Sequence, residues 1–217
     1  MPGIEELTLA ADPGRWLDAG FHVSGGLSQV GRCILRLAGP DTGRGIAGWS
    51  LAGVTALDLD GLPTRRARNE RRRDPAPVHP NGVLRLDHVV AFSPNLERTI
   101  AALEAAGLAF RRLREGPTPT GALRQAFFRL GDDILEVVEH PPGTLAADGE
   151  APAHFYGLAF LVEDIGAAAE AMGAHLGEVR EAVQPGRQIA TVSRDAGLGL
   201  PVAVMTPRPD SRAGQAE

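Results

Sequence analysis

The chain has 217 residues, of which 43% are hydrophobic and 23% charged, a composition that supports a globular protein with a substantial core. Its net charge of −5 argues against nucleic acid as a partner, and its one cysteine excludes an intramolecular disulfide. The N-terminus has no signal pattern, and no apolar run approaches the ~20 residues that span a bilayer. A soluble, cytoplasmic protein without a membrane partner is therefore expected.

The first 57 residues are interpreted as a degenerate N-terminal βαβββ-like module, 1–57. Residues 4–10 resemble a strand, and Asp12 can cap a short helix. Further strands are predicted over 31–37 and 45–54. The alternative is a plain β-rich extension that packs on the rest of the chain.

The next segment, 58–83, has the composition of a linker. It is rich in proline and arginine and has almost no apolar periodicity. Its arginines suit a phosphate or an acidic partner, whereas the acidic residues beside them favour a solvated connector. The clustered arginines are Arg65, Arg66, Arg68, Arg71, Arg72 and Arg73.

A first clear βαβββ module is predicted over 84–142. A strand at 84–92 is followed by Ser93 as N-cap and Pro94 at the first position of a helix that ends near Gly107. Three strands then follow, at 109–114, 123–130 and 133–140.

The same element order returns over 155–207, which predicts a duplicated second module. Its strands are placed at 156–162, 177–183, 187–193 and 200–206, with a helix capped by Asp164. An offset of 69 aligns the first strands of the two copies, and an Arg-Gln pair opens the third strand of each, at Arg124-Gln125 and Arg187-Gln188. Residues 208–217 are expected to be a disordered tail.

Three motifs carry a family resemblance: LDHVV in the first strand of the first copy, GDDILEVVE in its fourth, and YGLAFLVEDI at the start of the second copy. On these motifs, residues 84–207 resemble the vicinal oxygen chelate superfamily of glyoxalases, bleomycin-resistance proteins and ring-cleaving dioxygenases. The resemblance implies an α+β fold in which tandem βαβββ modules form a curved, cup-like mixed sheet around a cleft for a small-molecule ligand. It also implies a divalent metal, held by the first and fourth strands of each module, and a homodimer.

Residue by residue, the resemblance implies His88 and Glu136 as metal ligands, for Zn²⁺, Ni²⁺, Fe²⁺ or Mn²⁺. The alternation of strand residues places Leu86 on the same face as His88. In the second module Gly157 stands at one ligand position and Val202 or Ala203 at the other, so half of the site is missing. Three interpretations stay open: a metal site completed by other groups, metal-free contact of the two residues with a substrate, and an inert remnant.

Three residues are predicted to contact substrate. Gln125 and Phe127 share a face of a strand that borders the cleft, and Tyr156 precedes the gap at Gly157. The alternative is a strand edge with solvated arginines and a core phenylalanine. Two functions compete: a lyase, isomerase or dioxygenase in which Glu136 serves as catalytic base if no metal binds, and a metal-free binding or resistance protein that sequesters its ligand.

Overall fold

The computed structural model describes residues 1–67, 75–118, 121–139 and 149–209. These residues form two curled sheets and three α-helices. The helices are α1 (Pro13–Asp18), α2 (Leu96–Ala105) and α3 (Ile165–Met172). The strands are β1 (Gly3–Leu9), β2 (Leu27–Val30), β3 (Cys33–Leu37), β4 (Ile46–Ala52), β5 (Thr64–Arg66), β6 (Val83–Ser93), β7 (Ala109–Thr118), β8 (Gly121–Leu130), β9 (Asp133–Glu139), β10 (His154–Val162), β11 (Arg180–Glu181), β12 (Gln188–Thr191) and β13 (Val202–Met205).

The larger sheet contains eight strands in the order β11-β12-β13-β10-β6-β9-β8-β7. In each half the first strand runs parallel to the fourth, as β6 does to β9 and β10 to β13, while β6 and β10 pair antiparallel at the centre. The helix between the first two strands of each half begins at a side-chain cap, Asn95 for α2 and Asp164 for α3. The predicted α+β fold with tandem βαβββ modules is confirmed.

The two modules are related by a local twofold axis that passes between Val89 and Leu158, which are paired in the centre of the sheet. These two residues are separated by the offset of 69 that the sequence shows. The repeated Arg-Gln pair does not follow this symmetry. The register places Ile189, and not Gln188, in the position equivalent to Gln125, so the sequence match at the third strand is one residue out of step.

The smaller sheet has the order β2-β3-β1-β4-β5. Its central pair, β1 and β4, is antiparallel, and each member has a parallel neighbour on its outer side, β3 and β5 respectively. The four strands at the centre of the larger sheet have the same arrangement. Strand β5 lies beyond residue 57, inside the segment predicted as a linker, because the backbone of 64–66 pairs with β4.

The predicted linker is also fixed at two further points within its described part. The Asp60 carboxylate accepts a hydrogen bond from Nε of Arg98 on α2 at 2.7 Å. The His79 ring is buried, with Nδ1 accepting from the N–H of His22 and Nε2 donating to the carbonyl of Gln29, both at 2.9 Å. Burial lowers the pKa of His79 and keeps the ring neutral. Arg68, Arg71, Arg72 and Arg73 of the predicted cluster lie outside the described residues.

Both sheets contribute to one hydrophobic core. Trp16 of α1 is fully buried, its ring centroid lies 6.1 Å from that of Phe160 on β10, and its indole N–H donates to the carbonyl of Leu198 at 3.2 Å. Trp49 of β4 meets Phe155 of β10 with ring centroids 5.0 Å apart. The smaller sheet therefore covers apolar surface of the duplicated modules. No helix in the described residues is long and apolar enough to cross a membrane.

Candidate functional site

A cavity of about 460 Å³ lies on one face of the larger sheet, mainly over the first module, and five of its fifteen lining residues come from 161–208. Its floor carries His88 from β6, Phe127 from β8 and Glu136 from β9. The sheet register explains why they meet, since Phe127 pairs with Glu136 and Glu136 pairs with Val90, two residues from His88. Within one face of a sheet such positions are neighbours.

A β-bulge in β6 brings Asp87 to the cavity, whereas strict alternation along the strand would place Asp87 on the opposite face from His88. Ala159 pairs with His88 and Phe160 pairs with Leu86, so Asp87 is the extra residue between them. Asp87 and His88 consequently both line the cavity, whereas Leu86 is fully buried in the core on the other side. The prediction that Leu86 shares a face with His88 is therefore wrong.

The bulge places Asp87 between two partners. Its Oδ2 lies 2.7 Å from Nδ1 of His88, and its Oδ1 accepts from the guanidinium of Arg187 at 2.9 Å. Burial raises the pKa of Asp87, but hydrogen bonds and charges from His88 and Arg187 outweigh it and hold the pKa below its usual range. The carboxylate is thus ionised and accepts the Nδ1–H of His88, which leaves Nε2 facing the cavity.

Glu136, on β9, is also held by the side chain of a neighbouring residue. One carboxylate oxygen accepts a hydrogen bond from the amide of Gln125, and Oε2 lies 3.6 Å from Nε2 of His88. That separation is too long for a hydrogen bond. Nε2 of His88 and Oε2 of Glu136 can therefore each form a hydrogen bond with a molecule in the cavity.

The predicted residues are not all brought together. His88, Phe127 and Glu136 line the cavity, and Gln125 contacts it through Glu136. Tyr156 lies outside it. A second irregularity makes Tyr156 the extra residue between Phe155 and Gly157, and its ring packs on Phe92, with centroids 4.7 Å apart, where it is 47% exposed.

The second module contributes only apolar surface at the positions that correspond to His88 and Glu136. A Cβ at Gly157 would lie 2.5 Å from the carbonyl oxygen of Pro201, so no side chain fits there. The parallel register places Ala203, and not Val202, opposite Ala159, as Glu136 is opposite Val90. Val202 is buried in the core.

This donor set does not fit a metal held by both modules. A zinc ion typically takes at least three protein ligands, and here the opposing half offers a glycine and an alanine. In the described part of the chain, no group of three His, Cys, Asp or Glu is arranged to hold a metal.

The arginines that line the cavity were not among the site residues predicted from the sequence, which favoured a solvated role for those on the strand of Gln125 and Phe127. A bulge in β7 sets both Arg111 and Arg112 opposite Phe127, and the Arg112 guanidinium lies 4.8 Å from the centroid of its ring. Among the described residues, six arginines and three carboxylates line the cavity. The arginines are Arg85, Arg111, Arg112, Arg129, Arg187 and Arg208.

Residues 85–195, slightly more than half of the chain, match the family model of the Glyoxalase/Bleomycin resistance protein/Dioxygenase superfamily. The chain belongs to this superfamily. Among solved structures, a triple mutant of 4-hydroxymandelate synthase from Streptomyces coelicolor superposes with a TM-score of 0.65 and 16% identity, over 95% of this chain and 92% of that one. At this identity the likeness shows the fold alone.

Two further superfamily structures overlap with part of the chain. Methylmalonyl-CoA epimerase from Mycobacterium tuberculosis matches with 17% identity and a TM-score of 0.46, over 61% of this chain and 94% of that chain. A variant of the Streptomyces coelicolor epimerase matches with 19% identity and a TM-score of 0.47, over 58% and 96%. A search of curated proteins finds no match.

Proposed function

We propose that this superfamily member binds a small molecule in the cavity over its first module and moves a proton at that molecule with His88. The single observation that carries the proposal is the chain of contacts from Arg187 to Asp87 to His88, which directs Nε2 of the imidazole into the cavity beside Glu136. An imidazole held by a carboxylate at Nδ1 is oriented for proton transfer through Nε2.

The chemistry assigned to these residues is acid–base catalysis at a carbon next to a carbonyl group. Nε2 of His88 accepts the proton from the substrate C–H, and the Asp87 carboxylate stabilises the imidazolium that forms. Glu136, held by Gln125, contacts the same region of the substrate and serves as the second proton-transferring group. Return of the proton to the same or another carbon gives an isomerase or epimerase reaction, and loss of a leaving group gives a lyase reaction.

A divalent metal, which the superfamily resemblance implies, is not part of this mechanism. His88 and Glu136 are the two donors that could contact one, and their partners in the second module carry no ligand atoms. Glu136 is therefore assigned a role at the substrate.

The proposal is tested by hydrogen exchange in D₂O. A set of carbonyl compounds with acidic C–H groups is incubated with the protein in the presence of EDTA, and ¹H NMR records the loss of the C–H signal. We expect exchange that falls at least a hundredfold in His88→Gln and Glu136→Gln. Exchange should be unchanged in Arg194→Gln, because this exposed residue is not part of the cavity lining. Exchange that is equal in wild type and His88→Gln would refute the role of His88.

A binding protein that sequesters its ligand is the second candidate. It is favoured by the apolar cluster of Ala159, Leu161 and Met205. Ala159 pairs with His88 and Leu161 lines the cavity, so this part of the second module offers the ligand apolar side chains and no acid–base group. Binding without exchange, unaffected by His88→Gln, would support this function over catalysis.

We also propose that the protein forms a homodimer. The outer edge of β7 has no strand partner among the described residues, and Phe110 and Leu113 on this strand are 39% and 40% exposed. Light scattering coupled to gel filtration tests this, and a mass near 22.8 kDa would contradict it.

A further inference from the structure

We infer that the molecule bound in the cavity is a small organic acid that presents a carboxylate, phosphate or phosphonate to the arginines of β7 and β8. The inference rests on the proposed function and adds the substrate class. Neither the sequence motifs nor the comparisons assign a role to these arginines.

Two of these arginines owe their position to an irregularity in β7. Arg111 and Arg112 reach the cavity together because the β7 bulge puts two residues opposite Phe127. A bulge that redirects a side chain is a frequent feature beside binding sites. Stacking on the Phe127 ring holds the planar guanidinium of Arg112 and leaves its N–H edges for a bidentate anion.

Among the described residues that line the cavity, arginines outnumber carboxylates. Arg187 is neutralised by Asp87, but no carboxylate within the described residues forms an ion pair with Arg111, Arg112 or Arg129. Arg129 donates to the carbonyl of Gly131, which orients the group without removing its charge. The cavity is therefore positive on a chain whose net charge is −5. Such a local field concentrates anions and repels cations.

The sheet register fixes the position of this positive charge relative to the proton-transfer groups. Arg112, Phe127 and Glu136 form one row across β7, β8 and β9, and Arg129, Ile134 and His88 form the next across β8, β9 and β6. Each arginine is two strands from its acid–base group, about 10 Å between backbones at ordinary strand spacing. A short acid can thus place its anionic group on the arginines and its reacting carbon near His88.

The positive charge also serves the proposed reaction. Removal of a proton next to a carbonyl leaves negative charge on oxygen, and fixed cations in a partly enclosed site stabilise it more than water does. A neutral substrate would leave several guanidinium groups in the cavity without a counter-charge.

The inference is tested with succinate, 3-phosphonopropionate and the neutral isostere succinamide, titrated by calorimetry in EDTA buffer. We expect both anions to bind at least tenfold more tightly than succinamide, and to weaken as NaCl is raised. Arg112→Gln and Arg129→Gln should each weaken anion binding at least fivefold, while Arg194→Gln, the exposed control, leaves it unchanged.

Three results would overturn the inference: succinamide binding as tightly as succinate, anion affinity that survives the double Arg112→Gln, Arg129→Gln variant, or no binding of either anion at millimolar concentration. The His88→Gln variant separates this question from the proposed function. Anion binding that persists in this variant, with no C–H exchange of any carbonyl compound in the wild type, would refute the proton transfer and uphold the substrate class. Exchange of neutral carbonyl compounds by the wild type, without anion binding, would uphold the proton transfer and refute the substrate class.

Discussion

Asp87 contacts the residue that follows it in the chain: its Oδ2 lies 2.7 Å from Nδ1 of His88. Consecutive residues of a regular strand point to opposite faces, so this contact depends on the bulge opposite Ala159 and Phe160. Through Asp87 the first module is also joined to the second, because Arg187 donates to Oδ1 from the loop before β12. The orientation of the His88 ring therefore depends on residues from both halves of the sheet.

Replacing Asp87 should lower both stability and activity. Asp87→Ala leaves the buried Arg187 guanidinium without its carboxylate and should reduce the free energy of unfolding by about 3–5 kcal/mol. Urea denaturation measures this. The double variant Asp87→Ala, Arg187→Met should recover part of the loss, and a double variant no more stable than Asp87→Ala would contradict the assigned pairing.

Gly157 should tolerate no side chain. Gly157→Ala brings a Cβ to within 2.5 Å of the Pro201 carbonyl oxygen and should lower the free energy of unfolding by about 1–3 kcal/mol. Gly3→Ala is the matched control, since a Cβ there meets nothing within 4 Å. Thermal denaturation compares the two. Equal melting temperatures would mean that the backbone around Pro201 moves to make room for the side chain. A metal-ligating side chain could then be introduced at position 157.

Asp133 should make stability fall with rising pH. Burial, together with the nearby Asp132 and Asp87, raises its pKa to about 7 against opposing effects of Arg85 and Arg32. Between about pH 4, where the unfolded carboxyl ionises, and about pH 7, the folded chain retains a proton that the unfolded chain releases. The folded state is therefore favoured below this window and loses stability as pH rises through it.

The Asp133→Asn variant removes this titration. Its free energy of unfolding, relative to wild type, should increase steadily from pH 4 to pH 8 when measured by urea denaturation at each pH. The exposed Asp41→Asn variant serves as control and should show no such trend. A difference between Asp133→Asn and wild type that stays constant with pH would contradict the assignment.

The two sheets should unfold together. Trp16→Ala removes a fully buried side chain that touches Phe160 and Leu198 of the second module, and should cost about 3–5 kcal/mol. Circular dichroism and tryptophan fluorescence should report one coincident transition, shifted to lower denaturant in the variant. Leu17→Ala, at a site 57% exposed, is the control. Two separated transitions would show that the sheets form independent cores.

The fold could be predicted from the sequence because its signals are local and repeated: Asp164 caps a helix, and the offset of 69 marks the twofold axis. The N-cap of the first module's helix was predicted wrongly, as Ser93; strand β6 continues through Ser93, and the side chain of Asn95 caps the helix instead. The bulges at Asp87 and Arg111 could not be predicted, since strand alternation assumes regular pairing. These bulges decide which polar groups enter the cavity, and a third irregularity, in β10, makes Tyr156 the extra residue between Phe155 and Gly157. The smaller sheet extends past residue 57 because β5 is held by pairing with β4, which composition does not reveal.

Metal content tests the central claim, a proton-transfer site without a protein-held metal, most directly. The purified protein, before and after incubation with Zn²⁺, Ni²⁺, Mn²⁺ or Fe²⁺ and removal of excess ion, is analysed by mass spectrometry of the metals beside the His88→Ala, Glu136→Ala double variant. We expect no stoichiometric metal in either protein, and C–H exchange by the wild type that persists in EDTA. About one metal per chain in the wild type, absent from the double variant, would contradict it and assign His88 and Glu136 to a metal centre.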